Sequence, residues 1–254
     1  MSGFFSQIRN RIESESALVV ATVVDGPAGV GNRMLVYPGG RSEGSLGSSE
    51  LDRVVVTDAL EQLARGFSKS REYDVAGGKA LVFMDAYPSP HHLMVFGGVH
   101  IAVPLVKIAS VLGFRTSVID ARGRFASTER FPEADEIALE YADEYLDHTP
   151  LNPSSYVVVL SHDPKLDDPA LLKALRSDAR YVGAIGSRKT HAGRVERLLE
   201  AGLSAEQVAR IHAPVGLDID AQNPEEIALA IVAEVVAAKN GKQTRPPARP
   251  GTAT

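Results

Sequence analysis

The sequence predicts an α/β protein in two parts, a small α+β domain followed by a domain built on an open parallel sheet. Apolar strands and amphipathic helices alternate over residues 93–240, a pattern typical of a parallel sheet with helices on both faces. Segment 85–92, DAYPSPHH, carries two prolines and is typical of a linker. We therefore predict an α+β domain at residues 1–88, a Rossmann-like domain at 89–240 and a disordered tail at 241–254.

The composition is that of an ordinary globular protein and excludes several kinds of chemistry. With 44% hydrophobic and 23% charged residues in 254, the chain can bury a sizeable core. The net charge of −5 argues against a nucleic-acid partner. The absence of cysteine excludes disulfides, zinc–thiolate sites, iron–sulfur clusters and cysteine nucleophiles. We see no secretory signal and no apolar run long enough for a membrane span, so we expect a cytoplasmic protein without a membrane partner.

The first domain is predicted from short apolar runs on either side of one helix. Valine- and leucine-rich runs of this length are typical of strands, and glycine-rich loops separate them. The predicted elements are an amphipathic helix at 2–14, strands at 17–24 and 33–37, a helix at 50–64 and a strand at 79–84.

The second domain opens with a strand, a glycine turn, a helix and another strand, the order of a dinucleotide-binding βαβ unit. Leu93–Phe96 is a short apolar strand, Gly97-Gly98 forms the turn, and apolar side chains then recur at helical spacing until Gly113. Later elements are a strand at 116–119, a short strand at 137–139, a helix at 141–148, a strand at 156–160, a helix at 169–175, a strand at 181–185, a helix ending near 199, a short helix after Ser204 and a last helix after Asn223-Pro224.

Glycine, charged and hydroxyl residues cluster where the predicted parallel strands end. In an open parallel sheet, ligands bind at the carboxyl ends of the strands, so these residues are the candidates for a binding site. The candidate cofactor-binding residues are Gly97, Gly98, His100, Asp120, Arg122, Ser161, Asp163, Gly186, Ser187, Arg188 and Lys189, and the candidate catalytic residues are His162 and His191. The seven histidines show no metal-site spacing, so we predict no metal site.

The first turn departs from the dinucleotide fingerprint G-x-G-x-x-G. Val99 and Ala102 stand where the second and third glycines are expected. The turn is either a phosphate seat at a helix N-terminus or a tight turn that needs glycine for its backbone. Asp120 lies near the spacing of a ribose hydroxyl acceptor, and Arg122 is placed to meet a phosphate; the alternative is a carboxylate that only anchors the loop.

Two further loops each have a functional and a structural interpretation. In Ser161-His162-Asp163, the histidine can exchange protons near neutral pH, or Asp163 simply caps the next helix and the histidine packs. The stretch 186–191, GSRKTH, combines a glycine turn, a serine N-cap and two adjacent cations at a helix start, which favours an anion. Its alternative is a capped helix with two solvated basic residues.

Several longer stretches resemble one known family. Leu160–Pro169, Tyr181–His191, His212–Ile219 and Asn223–Ala228 are similar to motifs of the XdhC/CoxI family, the accessory factors of xanthine dehydrogenase and related molybdenum hydroxylases. The resemblance extends over nearly the whole chain, about residues 17–238. It implies a Rossmann-like C-terminal domain, frequent dimer formation, and a role in binding molybdenum cofactor (molybdopterin), protecting it during sulfuration and delivering it to an apo-hydroxylase.

The chain departs from the family pattern at two places. The family motif resembles G-S-L-x-G-G-C-[VL]-E, and in the matching run 44–52 Glu50 stands where the cysteine is expected. A carboxylate cannot replace a thiolate in sulfur ligation or transfer. The family turn resembles G-A-G-H, and in Gly97–His100 the histidine is kept while Val99 replaces the second glycine.

Three functions are consistent with the sequence. The first is a cofactor chaperone with no turnover of its own, acting on a molybdenum hydroxylase client and forming a homodimer. The second is an NAD(P)-dependent oxidoreductase in which residues 97–120 hold the nucleotide and His162 or His191 handles a proton. The third is a scaffold that keeps the fold and has lost the ligand, as the replacements at Glu50 and Val99 suggest.

Overall fold

The computed structural model describes residues 2–13, 16–27 and 29–242, and the chain divides into two compact units between Pro90 and His91. Gly241 and Lys242, placed in the predicted tail, instead close a hydrogen-bonded turn onto the last helix through Ala238 and Ala237. The rest of the predicted disordered tail lies outside the described residues.

The first unit is a five-stranded antiparallel sheet with the order β3-β2-β1-β5-β4. One helix, α2, packs its apolar side on one face of this sheet, around Val55 and Ala59. The elements are α1 (Ser2–Glu13), β1 (Leu18–Asp25), β2 (Arg33–Val36), β3 (Ser42–Gly44), α2 (Ser49–Arg65), β4 (Lys69–Val75) and β5 (Gly78–Tyr87).

Two edge strands of this sheet, β3 and β4, are missed by the sequence prediction. The sequence of β4 is KSREYDV, and Tyr73 is its one buried side chain. An edge strand with little buried surface carries no apolar alternation, so the pattern on which strand prediction rests is absent. Strand β5 also continues to Tyr87 and the next strand begins at His92, so half of the predicted linker 85–92 belongs to strands.

The second unit is a six-stranded parallel sheet with the order β8-β7-β6-β9-β10-β11. In chain order within the unit this is 3-2-1-4-5-6, the Rossmann arrangement, whose order reverses between β6 and β9. The elements are β6 (His92–Phe96), α3 (Ala102–Val111), β7 (Arg115–Ile119), β8 (Glu136–Ala138), α4 (Ala142–His148), β9 (Ser155–Val159), α5 (Pro164–Arg176), β10 (Tyr181–Ala184), α6 (Arg188–Glu200), α7 (Ala205–Val208), β11 (Ile211–His212) and α8 (Pro224–Lys239).

Helices cover both faces of this sheet, which confirms the predicted α/β class with a Rossmann-like parallel sheet. Helices α3 and α8 pack on one face around Leu105 and Ile231, whereas α4, α5 and α6 pack on the other around Leu171 and Leu198. All five residues of β9 are buried because this central strand is covered on both sides. The strand ends at the reversal point therefore lie between the two helix layers.

Helix α5 begins five residues before its predicted start. Pro164 occupies its first turn and Asp163 is its N-cap, whereas the prediction gave that position to Pro169. Proline is favoured in the first turn of a helix, and from the sequence alone both Pro164 and Pro169 could occupy that turn. Pro169 lies inside the helix, where it interrupts one backbone hydrogen bond.

Candidate functional site

The turn after β6 is held closely by its own chain. Gly97 has a φ of +107°, and a Cβ there would lie 3.0 Å from the backbone nitrogen of Ser161. A Cβ on Gly98 would lie 2.2 Å from the carbonyl oxygen of Phe125. Both glycines are therefore required by close approaches within the unit, and the loop after Asp120 packs directly against Gly98.

The carboxylate of Asp120 is fully engaged inside the chain. Its Oδ2 accepts hydrogen bonds from the Gly98 nitrogen at 2.9 Å and from Arg122 Nη2 at 2.8 Å, and its Oδ1 accepts from Arg122 Nε at 2.9 Å. Burial acts to raise the pKa of Asp120, but the hydrogen bonds from Arg122 and Gly98 outweigh it and hold this pKa below its usual value. A ribose hydroxyl would have to displace Arg122, so the ribose-acceptor role stays a prediction.

A second carboxylate, Asp167 on α5, lies at the end of β9. Ser161 Oγ donates to Asp167 Oδ1 at 2.5 Å, and Arg194 Nη2 lies 3.8 Å from Asp167 Oδ2. Arg194 Nη2 also donates to the carbonyl of Ile185 at 2.8 Å. Burial raises the pKa of Asp167 and lowers the pKa of Arg194. The side chains thus link the loops after β9 and β10.

The guanidinium of Arg194 is only partly satisfied. Both Nε and Nη1 are buried and have no hydrogen-bond partner among the described residues. Such unsatisfied buried donors are costly and are most often explained by an ordered water or a bound group. Because Arg194 donates to the carbonyl of Ile185, its positive charge lies directly beneath the β10–α6 loop.

Three predicted site residues meet at one small cavity of about 20 Å³, room for a single water. These three are Gly97, Asp120 and Ser161, and Asp167 joins them. The other lining residues are Phe96, Ile119, Ala121, Glu140, Tyr141, Ala142 and Leu166. This cavity by itself is far too small to hold a nucleotide.

The loop from β10 to α6 and the first turn of α6 present two exposed cations at this end of the sheet. Ser187 caps α6 by accepting a hydrogen bond from the nitrogen of Thr190 at 3.1 Å. Arg188 and Lys189 follow in the first turn, are exposed, and form no ion pair in the part of the chain that the structure describes. Gly186 has a φ of +130°, which allows the sharp turn before the cap. This arrangement suits a phosphate or another anion.

The other predicted residues lie around this edge without lining the cavity. His162 is exposed and has a φ of +64°, an uncommon conformation for a residue other than glycine. Asp163 is the N-cap of α5, since its Oδ1 accepts from the nitrogen of Lys165 at 3.0 Å. His100 is exposed and His191 is half-buried in α6. The catalytic assignment of His162 and His191 stays a prediction.

The prediction from sequence missed three buried charges: Asp167, Arg194 and Glu234. Each is a charged residue on the apolar side of a helix. Glu234 is the clearest, because it interrupts the otherwise uncharged run IALAIVAEVVAA at 227–238. A single charged residue on the buried face of a helix needs a hydrogen-bonding or ionic partner, so this sequence pattern could have identified these residues.

In the first unit, Glu50 lies in the first turn of α2, directly after the cap formed by Ser48. Its side chain is exposed and lines an open depression of about 440 Å³, together with Leu51, Val54, Thr57, Asp58, Arg71, Tyr73 and Asp74. Asp58 accepts hydrogen bonds there from Arg71 at 2.7 Å and from the Tyr73 hydroxyl at 2.6 Å. The position is therefore accessible, but it offers carboxylate oxygen in place of sulfur.

The fold and this strand edge define an α+β unit followed by a Rossmann-type unit with an anion-suited loop. Residues 93–235 match the family described as the XdhC Rossmann domain, and residues 12–74 match the XdhC and CoxI family. The first match covers more than half of the chain, and the chain belongs to this family, as the sequence motifs indicated.

Two curated relatives agree with this assignment. The chain is 32% identical over 149 residues to a probable subunit of xanthine dehydrogenase from Bacillus subtilis (strain 168), covering 59% of this chain and 43% of that protein. It is 27% identical over 147 residues to the "Molybdenum cofactor insertion chaperone PaoD" of Escherichia coli (strain K12), covering 58% and 40%. The chain spans less than half the length of these curated relatives.

A crystal structure of a xanthine dehydrogenase from Bacillus halodurans shares the fold, with a TM-score of 0.55 and 21% identity over 95% of this chain and 97% of that one. Among the described residues no helix is long and apolar enough to cross a membrane.

Proposed function

We propose that this protein is an accessory factor that binds molybdenum cofactor and assists its insertion into a molybdenum hydroxylase of the xanthine or CO dehydrogenase type. The observation that carries the proposal is a pair of exposed cations, Arg188 and Lys189, which form no ion pair with the described residues. They lie at the start of α6, at the end of the sheet where Rossmann folds bind their ligands. The family and the names of two relatives support the same role.

The described residues fit the phosphate and pterin of molybdenum cofactor, but they do not fit its molybdenum. Molybdenum cofactor is a pterin that ends in a phosphate, and the exposed cations with the N-terminal amides of α6 match that dianion. The chain has no cysteine, and no group of three His, Asp or Glu side chains able to hold a metal occurs in the described ranges. We therefore assign the protein contacts to the phosphate and pterin, and none to the molybdenum.

The steps left to this chain are binding and shielding. Arg188 and Lys189 bind the phosphate, and Arg194 adds a buried positive charge beneath the same loop. Among the predicted cofactor-binding residues of the neighbouring loops, His100, Arg122, Ser161 and Asp163 are at least partly exposed and supply the adjoining surface, whereas Gly97, Gly98 and Asp120 are buried beneath it. Because Glu50 replaces the family cysteine, we propose that sulfur transfer is not a function of this chain. A cytoplasmic location and a homodimer belong to the same proposal, and light scattering of the purified protein tests the dimer.

The test is the pterin content and affinity of matched variants. Full-length protein from a host that makes the cofactor is oxidised, and the fluorescent pterin product is measured. Replacing Arg188 and Lys189 by alanine removes two exposed phosphate contacts of about 1 kcal/mol each, an affinity loss of about 30-fold. The control is Lys107→Ala with Arg176→Ala, which removes the same charge from exposed positions outside the loop. Wild-type protein without bound pterin, or equal losses in both variants, would contradict the proposal.

The alternative is an NAD(P)-dependent oxidoreductase, which the 3-2-1-4-5-6 strand order favours. The engagement of Asp120 by Arg122 counts against it. Calorimetric titration with NADH and NADPH separates the two functions. We expect no heat of binding from wild-type protein or from Val99→Gly, because the loop carbonyl of Phe125 still fills the space beside Gly98; saturable binding by either protein favours the oxidoreductase.

A further inference from the structure

The second unit contains a fully buried carboxylate that joins β10, β11 and the loop after β11. Glu234 on α8 is 0% exposed. Its Oε1 accepts from His212 Nδ1 at 3.0 Å, and its Oε2 accepts from the Tyr181 hydroxyl at 2.6 Å and from the Gly216 nitrogen at 2.8 Å. The residues come from α8, β11, β10 and the loop after β11, so the network depends on the tertiary fold.

Two glycines make this network possible. A Cβ on Gly183 would lie 2.8 Å from the Tyr181 ring and 2.6 Å from Val215, so glycine at that position leaves the space through which Tyr181 reaches Glu234. Gly216 has a φ of +97°, and a Cβ there would meet the backbone of α8 at 3.1 Å. The chain therefore approaches α8 closely enough for the Gly216 amide to bond the carboxylate.

The network fixes the orientation and tautomer of His212. A carboxylate only accepts hydrogen bonds, so Nδ1 must carry the proton, and in the neutral ring the lone pair is on Nε2. The ring packs on Tyr181 at a centroid distance of 4.5 Å. The side chain is 26% exposed, and Nε2 has no hydrogen-bond partner within the described part of the chain.

His212 lies in the strand next to the one that leads into the loop proposed to bind phosphate. His212 is the last residue of β11 and pairs in parallel register with Gly183 of β10, three residues before Gly186. Adjacent strands lie about 4.8 Å apart, so the backbone of His212 lies one strand away from β10 and about three residues along it from Gly186. Its ring is on the face covered by α8, where it contacts Glu234 and Tyr181.

We propose that His212 is a ligand-contacting residue whose Nε2 accepts a hydrogen bond from a ring N–H of the pterin, while Arg188 and Lys189 hold the phosphate of the same molecule. This inference rests on the proposed function and names a residue to which the sequence assigned no role. A phosphate dianion has no proton to offer, whereas a pterin ring presents N–H donors, so an oriented lone pair selects the heterocycle. Glu234 and Tyr181 are positioning residues, since they act through His212.

The experiment combines chemical protection with binding. Full-length protein is treated with diethyl pyrocarbonate, which modifies accessible unprotonated imidazoles, and each histidine peptide is quantified by mass spectrometry. The probe is molybdenum cofactor freshly released from a molybdenum hydroxylase under anaerobic conditions. We expect rapid modification of His212 in free protein and strong protection by the probe. The reference is His148, the last residue of α4, whose Nε2 lies 2.7 Å from Glu140 Oε2. Its modification should be unaffected by the probe.

Variants separate a ligand contact from a purely structural role. His212→Ala should weaken cofactor binding about fivefold to tenfold, the loss of one hydrogen bond, whereas His148→Ala should leave it unchanged. In Glu234→Gln, nitrogen-15 NMR of the histidine rings should show a rise of the Nε2–H tautomer of His212, with weakened binding. If His212→Ala does not fold, the protection of wild-type His212 still decides the matter.

The two proposals fail differently. Cofactor binding without protection of His212, or with unchanged affinity in a folded His212→Ala protein, overturns this inference and leaves the proposed function standing. A wild-type protein that binds no cofactor overturns both. Protection together with weakened binding supports both.

Discussion

Replacing Glu234 by glutamine tests how strongly the buried network stabilises the second unit. Burial acts to raise the pKa of Glu234, but the hydrogen bonds from His212, Tyr181 and Gly216 outweigh it and lower this pKa from 4.5 to about 2. A carboxyl whose pKa falls by this amount on folding contributes about 3 kcal/mol to the free energy of unfolding at neutral pH.

The pH dependence follows from the direction of this shift. Because the folded-state pKa is depressed, the contribution is complete above pH 4.5 and is lost as the pH falls toward about 2. Glu234→Gln should therefore reduce the free energy of unfolding by about 3 kcal/mol at pH 7 and by only about 1.5 kcal/mol at pH 3.

Urea unfolding at pH 7, 5 and 3 measures both numbers, and hydrogen exchange of residues 224–239 assigns the change to α8. Glu196→Gln is the control, because Glu196 is an exposed carboxylate on α6 and its replacement should change stability by less than about 0.5 kcal/mol at any pH. A difference between wild type and Glu234→Gln that does not change with pH would refute the reasoning, since the effect would then come from packing and not from the ionised carboxyl.

Two further predictions concern the turn after β6 and the loop after β7 that packs against it. Gly98→Ala should destabilise the protein by about 1–3 kcal/mol in thermal or urea unfolding, because its Cβ would overlap the Phe125 carbonyl at 2.2 Å; Gly123→Ala, whose Cβ meets nothing closer than 3.9 Å, should be nearly neutral, and equal effects would contradict the close approach. Arg122→Ala should raise the pKa of Asp120 and lower the free energy of unfolding at pH 7 by about 1 kcal/mol, a value reduced by the partial exposure of Arg122. Since the pKa of Asp120 is depressed in the folded protein, this loss of stability should shrink as the pH falls below about 4. A loss that stays constant with pH in urea unfolding would contradict the prediction.

Much of the parallel-sheet unit could be predicted from the sequence, because strands buried on both faces leave continuous apolar runs. The β6 turn, the β9 strand and the cap at Ser187 all follow from local residues. The edge strand β4 could not be predicted, since its backbone pairs with β5 while its side chains stay mostly in water.

The site was predictable only in part. Local motifs pointed to Arg188 and Lys189, which lie in the first turn of α6 directly after its serine cap. They did not identify Asp167 or Arg194, because the partner of a charged side chain within a helix is known only once the fold brings the two side chains together. The hydrogen bonds from Arg122 to Asp120 likewise could not be predicted, because the dinucleotide motif specifies only the spacing of residues along the chain.

The sequence by itself determined the fold class, the family and the positions of the strand-end loops, because these depend on periodicity and on residues close together in the chain. Only the tertiary structure decided which charges are satisfied. It engages Asp120 with Arg122 and with the Gly98 amide, leaves Arg188 and Lys189 without an ion pair among the described residues, and brings Glu234 to His212 from 22 residues away. Hydrogen bonds and desolvation act over a few ångströms in space, and folding alone creates those distances.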